Sequence, residues 1–405
     1  MRYVVVGSSA AGLFAVEEIR RRDPKGKITV LTADQEPYYS RCLTTYYLAG
    51  DIPLVKLFLR PDSFAARLGL EIAYGAKVTA VRPDEQVVVM EDGREWSYDK
   101  LLLATGASAN RLAVPGADLP EVFTLRHMSD AKGINDLIPN CREAVVIGGG
   151  LVSLKSAYAL LKRGLRVTVV VSSNRVLSQM LDEVSAGIVA RHLARHGMQI
   201  MLETDVASIN GERHVEGVTL TDGREIPAQL VIIGKGVSPN VDYLAGSTIT
   251  VGRGIRVDDR LATTVPHVYA AGDVAETWDR VLERRTVNAT WPNATHQGRI
   301  AGANMAGAGE RYLGSMGLNS VDFFGLSVMA AGVVRPPAGG EQKEANWQVK
   351  EQWKPGTSGY PVYRRLVFKN DILKGCVLVG DTSRAGILTT LIREGKPFRT
   401  RVTEH

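Results

Sequence analysis

Two glycine clusters, each closing a run of β-branched residues and opening a helical pattern, are the residues of this chain whose spacing can do chemistry. Arg2 to Ala15 reads RYVVVGSSAAGLFA: Gly7 and Gly12 hold the outer positions of a GxGxxG turn, Ser9 the middle one, and Ala11 leads into an apolar helical pattern through Ile19. The chemistry is phosphate binding, because glycines admit backbone close to a pyrophosphate and a helix N-terminus offers free N–H groups. Ala144 to Leu161 repeats the pattern, with Gly148, Gly149 and Gly150 followed by Leu151 and Val152 at a second helix start. A further strand follows each helix, Lys27 to Leu31 and Arg166 to Val171, completing two βαβ units. A lone degenerate loop is ordinarily a plain strand-to-helix turn, but its recurrence in the same context points to two dinucleotide sites.

Other chemically capable residues lie outside the loops. Gly272-Asp273, within VYAAGDV, puts on a glycine turn a carboxylate that can accept from a sugar-like hydroxyl; a helix is expected to follow it, and an Asp helix cap is the compatible plain reading. Ala104-Thr105-Gly106 ends the buried-strand run Leu101 to Leu103. An acid holding an adenosine ribose is expected about 20 residues after the first loop, where Asp34 is the first choice and Glu36 the second. After the second module's strand come Ser172, Ser173, Asn174 and Arg175 with no carboxylate, which tilts that site toward a 2′-phosphate, although a surface arginine is the plain alternative. Gly236 is a further candidate there. Cys42, beside Arg41 at an expected helix start, could carry a thiol of lowered pKa, or be a small buried side chain.

The elements that position these residues need a sizeable core, and 405 residues with 45% hydrophobic and 23% charged allow two or three domains. Forty-one glycines with only 6% aromatics fit several close ligand turns. A net charge of +6 is a mild excess that can steer an acidic partner and is no nucleic-acid signature; the basic run Arg20 to Arg22 reads as a solvated helix end. No segment has the length of a membrane span, and no signal-peptide pattern is present. Cys42, Cys141 and Cys376 are odd in number and widely spaced, so neither a disulfide scaffold nor a CxxC pair is expected, and a cytoplasmic setting suits the chain.

The two glycine loops, Tyr98 to Gly116 (YDKLLLATGASANRLAVPG) and VYAAGDV together resemble the two-dinucleotide-binding flavoprotein family. That family includes glutathione reductase, rubredoxin reductase, NADH oxidase, coenzyme A-disulfide reductase and the flavin module of nitrite reductase. The resemblance covers nearly the whole chain. It implies an α/β fold with two Rossmann-type domains and a small α+β C-terminal domain. The FAD domain would comprise residues 1–112 and 241–312, the NAD(P) domain 113–240, and an interface domain 313–405, ending in a hairpin at Asn370-Asp371, a strand and a helix. It assigns FAD to the first loop, with Gly7, Ser9, Ala11, Gly12, Asp34, Glu36, Arg41, Ala104, Thr105, Gly106, Gly272, Asp273, Asn293 and Ala294 around it. It assigns NADH or NADPH to the second, with Gly148, Gly149, Gly150, Leu151, Val152, Ser172, Arg175 and Gly236. The small-residue helix after Trp291 would aim its N-terminus at the flavin ring, where its dipole favours reduced, anionic flavin.

The sequence departs from the family pattern in three ways. Ser153 and Lys155 replace the glycine and glutamate of the usual GLE; no histidine stands in the first loop; no second cysteine follows Cys42 at CxxxxC spacing. The first bears on nicotinamide binding; the other two weigh against peroxide and dithiol chemistry. The implied activity is an FAD-dependent NAD(P)H oxidoreductase passing electrons to or from an acidic protein carrier such as rubredoxin, ferredoxin or an iron–sulfur subunit. The expected assembly is a homodimer or larger complex, with no nucleic acid, membrane or metal. Two alternatives stay open: a coenzyme A-disulfide or persulfide reductase using Cys42 as a redox thiol, and a non-catalytic flavin subunit of a complex.

Overall fold

The computed structural model describes residues 1–36, 38–336, 346–356 and 361–397. Pro37 of the cysteine segment, and parts of the expected C-terminal domain, lie outside them.

Short β-branched runs buried on both faces suit the inner strands of a parallel sheet. Arg2–Val6 does so, pairing in parallel with Lys27–Leu31 on one side and Lys100–Leu103 on the other. Leu70–Ala73 and Val268–Ala270 complete the five-stranded sheet at its two edges. The second sheet repeats this order: Glu143–Ile147 lies between Arg166–Val171 and Leu230–Ile233, with Gln199–Leu202 and Val122–Phe123 outside. Both glycine loops therefore leave the central strand of a doubly wound sheet, at the carboxyl ends of its strands where ligands bind.

The repeat extends beyond the loops. Each half carries a three-stranded antiparallel sheet, Val78–Arg82 with Val87–Met90 and Glu95–Ser97, and Val206–Asn210 with Gly217–Leu220 and Glu225–Pro227. The first strand of each has a bulge near its start. Ala107–Ala109 pairs with Val237–Pro239, so the chain enters and leaves the second half through one two-stranded ribbon.

The helix Trp291–Met305 returns to pack on Ala10–Arg22. The approach is close because a Cβ on Gly298 would lie 2.2 Å from Ala11 O, and one on Gly302 would lie 2.5 Å from Ala15 O. The C-terminal part is a five-stranded antiparallel sheet in the order Leu318–Phe323, Leu326–Gly332, Ile372–Val379, Val362–Lys369, Trp347–Lys354, with the helix Ala385–Glu394. Asn370 and Asp371 make its tight hairpin turn, both with positive φ (50° and 59°), as the two-residue turn requires. Among the described residues no helix is long and apolar enough to cross a membrane.

Candidate functional site

At the first loop the backbone itself requires glycine. Gly7 has φ +113°, and a Cβ there would sit 2.2 Å from Ala104 O; at Gly12 it would sit 1.9 Å from Gly7 O. Ser9 is the N-cap of Ala10–Arg22, but its side chain makes no capping bond. Ala11 is buried beneath Gly272 and Gly298, so it packs the cradle rather than lining it. The second loop has the same construction: a Cβ on Gly148, at φ +117°, would lie 2.4 Å from Gly234 O, and one on Gly149 would lie 2.6 Å from Val171 Cγ1. Gly150 differs, since nothing lies within 4 Å of its Cβ position. It is the uncapped N-cap of Leu151–Lys162. Open space before a helix terminus whose first N–H groups no side chain caps is the form of a pyrophosphate cradle, so both loops fit a dinucleotide. Leu151 and the exposed Val152 start that helix, and Gly236, at φ +86°, lies across from Asn110.

The Gly272-Asp273 turn is followed by the strand Ala275–Asp279, so the helix expected there is absent and Asp273 is no helix cap. Tertiary contacts hold the turn instead. Gly272 N donates to Gln297 Oε1 (2.7 Å) from the helix Trp291–Met305, and Asp273 accepts from Arg126 Nη2 (3.0 Å). Arg126 Nε also donates to Ala107 O (2.8 Å), beside the Ala104-Thr105-Gly106 turn. Asn293 donates to Asn288 O and Met316 O, and Ala294 is buried next to it.

Asp34 joins this network from the other side. It accepts from Arg41 Nη2 (2.7 Å) and bonds His127 Nδ1 (2.9 Å), while Arg41 also donates to Arg126 O. Burial pushes the Asp34 carboxyl up, but the His127 hydrogen bond and the charges of Arg41, His127 and Arg126 outweigh it and hold the group below its ordinary value. Glu36 pairs with Lys132. Arg126, His127 and Lys132 escaped the sequence reading. Their signal was slight: an Arg-His pair directly before the helix Met128–Leu137, with Asp130 in its first turn.

Cys42 does not have the environment expected of a lowered thiol. It lies in the 3-10 turn Arg41–Leu43 ahead of the five-residue helix Thr44–Leu48, and the Arg41 guanidinium is spent on Asp34. The residue is exposed, yet crowding by protein pushes its thiol up, Asp273 pushes it further, and Arg126 only partly opposes them. Cys376 is fully buried in a strand, its thiol pushed up to about 12.

The tilt toward a 2′-phosphate loses its main support. Arg175 is only 12% exposed and its Nη1 is engaged by Asn174 Oδ1 (2.9 Å) and Glu183 Oε1 (3.1 Å), while its Nε is buried without a hydrogen-bond partner among the described residues; of Ser172 and Arg175 only Ser172 is exposed. Lys155 is buried with Nζ 4.7 Å from the Tyr46 ring centroid, 4.5 Å from Tyr158 and 5.8 Å from Phe323. Burial pushes its ammonium down.

With this geometry in view, residues 1–298 match the pyridine nucleotide-disulphide oxidoreductase family. The chain belongs to that family. Its residues 318–396 match the rubredoxin NAD+ reductase C-terminal domain. As a family member it is an FAD-dependent NAD(P)H oxidoreductase. It is 36% identical over 342 residues to the epsilon subunit of NADH-dependent phenylglyoxylate dehydrogenase of Aromatoleum evansii, covering 84% of this chain and 81% of that one. It is 31% identical over 313 residues to rubredoxin-NAD(+) reductase of Ectopseudomonas oleovorans, covering 76% and 80%. Among solved structures, the NAD-dependent persulfide reductase of A. fulgidus superposes with a TM-score of 0.91 at 26% identity, over 98% of this chain and 77% of that one.

Proposed function

We propose that this oxidoreductase exchanges electrons between a nicotinamide nucleotide and a small protein carrier, rubredoxin, ferredoxin or an iron–sulfur subunit. The observation that carries the reading is the pairing of two dinucleotide cradles with a thiol in an unfavourable setting: Cys42 is free, and the guanidinium of its neighbour Arg41 is engaged by Asp34. FAD, when bound, supplies the change from two-electron hydride exchange to one-electron transfer. The chain's own residues bind and orient. The helix starts at Ser9 and Gly150 would hold the two pyrophosphates, Asp273 would accept from the ribityl chain, and Arg126 keeps that carboxylate in place. Asp34 is the proposed ribose acid, held by Arg41 and His127. The proposed FAD domain is 1–112 with 241–312, the NAD(P) domain 113–240 and the C-terminal domain 313–405.

A relative named as a rubredoxin reductase and a C-terminal match to the same enzymes support a protein carrier. A second reading, turnover of a small disulfide or persulfide at Cys42, draws support from the exposure of that residue and from the likeness to a persulfide reductase. Reduction of the FAD-loaded protein by NADH and by NADPH, followed by mixing with rubredoxin, a [2Fe–2S] ferredoxin and coenzyme A disulfide, tests both. Rapid reduction of an iron–sulfur carrier is the expected result; disulfide turnover alone would replace the first reading with the second.

A further inference from the structure

The three-stranded sheet Ile255–Arg256, Ala275–Asp279, Arg284–Thr286 has no place in nucleotide binding, yet it springs from the Gly272-Asp273 turn and leads into the helix Trp291–Met305. Its outer face is unusual. Trp278 is 50% exposed and Leu282, at the hairpin tip, 40%. Single exposed apolar residues are common on monomers, but Trp278 stands beside guanidinium groups. It is in register with Arg285 across the hairpin, so the two side chains share a face, and Arg280 Cγ and Trp278 Cδ1 both lie beside Gly314; neither arginine forms an ion pair among the described residues.

The tip is also built to hold its shape. Asp279, almost wholly buried, accepts from Val281 N and Leu282 N, both at 2.8 Å, and from Asn288 Nδ2 at 2.6 Å. Val281 points inward to the C-terminal core, which turns its neighbour Leu282 out to solvent. Glu283 at the tip is neutralised by Lys374 (2.7 Å) and Lys369 (3.4 Å) from the C-terminal sheet. The surface that results is positively charged, carries an exposed aromatic side chain and ends at a braced tip with an exposed leucine. Protein interfaces are enriched in aromatic residues and arginine, and rigid anchors lose little entropy on docking.

We propose that this face docks a small acidic electron-carrier protein, one whose carboxylates surround its redox centre. The proposal rests on the electron-transfer function above and gives it a location. The arginines would meet the carrier's carboxylates, speeding encounter and setting orientation, while Trp278 and Leu282 would pack at the centre. The carrier would then sit over the segment that joins the two proposed flavin-holding elements.

The test compares FAD-loaded wild type with Arg280→Glu/Arg285→Glu, Arg280→Lys/Arg285→Lys and Trp278→Ala, using NADH as donor. An acidic [2Fe–2S] ferredoxin and rubredoxin serve as carriers and dichlorophenolindophenol as a small acceptor, with carrier binding measured separately by surface plasmon resonance. The charge-reversed protein should show carrier KM and Kd raised roughly tenfold or more, with a shallower salt dependence and unchanged dye reduction. The lysine pair should stay near wild type, and Trp278→Ala should weaken binding without changing the salt slope. Wild-type KM, Kd and salt slope in the charge-reversed protein would overturn the docking surface and leave the function standing. Dye reduction by wild type with no reduction of either carrier would overturn the function, and the docking surface with it.

Discussion

Arg126 and Asp273 are joined at 3.0 Å although 147 residues separate them, and the pair closes the proposed flavin cradle from its far side. Both side chains are less than one-fifth exposed, and Arg126 has a second bond to Ala107 O. Arg126→Met should therefore cost about 1–2 kcal/mol, a range for a lost charge-assisted hydrogen bond discounted for partial exposure. It should also speed FAD loss on dilution. Thermal melts and flavin fluorescence in the filtrate check this, and a variant that melts and retains FAD like wild type would show the pair to be dispensable.

The two glycines of the second loop should separate folding from binding. Gly148→Val forces a branched side chain to φ +117° and against Gly234 O, so it should lose more than about 2 kcal/mol of stability. Gly150→Val has no neighbour to strike, so the protein should fold and keep FAD while reduction by NADH slows at least tenfold, a fold-change equal to about 1.4 kcal/mol. Stopped-flow reduction at wild-type rate in the folded Gly150→Val protein would remove the second loop from nicotinamide binding.

Cys42→Ser should retain most NAD(P)H-dependent reduction of a one-electron acceptor, because the thiol is pushed up and is not paired with Arg41. Alkylation of the wild-type protein by iodoacetamide should accelerate with rising pH through and beyond the ordinary thiol range of about 8.5. Loss of carrier reduction in Cys42→Ser, together with fast alkylation at pH 6, would restore the thiol to the mechanism.

Asp34 supplies a pH signature. Its carboxyl is held below its ordinary value in the fold, so the native state binds fewer protons than the unfolded chain in acid. The stabilisation is fully present above the unfolded value near 3.9 and is lost as pH falls through the lower folded value. Urea unfolding from pH 6 to pH 3 should show a steeper acid decline for wild type than for Asp34→Asn. Equal declines would mean that the Arg41 and His127 contacts contribute nothing to stability.

Local backbone chemistry explains what was legible in the sequence alone. Gly7, Gly148, and the strand and helix runs beside them follow from φ restrictions and hydrophobic period, which neighbouring residues decide among themselves. The repeat of that pattern was enough for two parallel sheets, and the Asn370-Asp371 turn was readable for the same reason. The strand after Asp273 was misread because a glycine turn is followed equally well by helix or strand, and here pairing with Ile255–Arg256 and Arg284–Thr286 decided for strand.

The sequence by itself determined the two nucleotide modules, since each rests on a contiguous stretch whose conformation is set locally, and their resemblance to a known family implied the cofactors. Only the tertiary structure decided which charges meet. Arg41 stands next to Cys42 in the chain but serves Asp34, and Arg175 looked available for a phosphate but is bound to Glu183. Arg126 reaches Asp273 from a different part of the chain. Electrostatic interactions depend on separation in space and on burial, and both are properties of the packed fold that residue spacing does not carry.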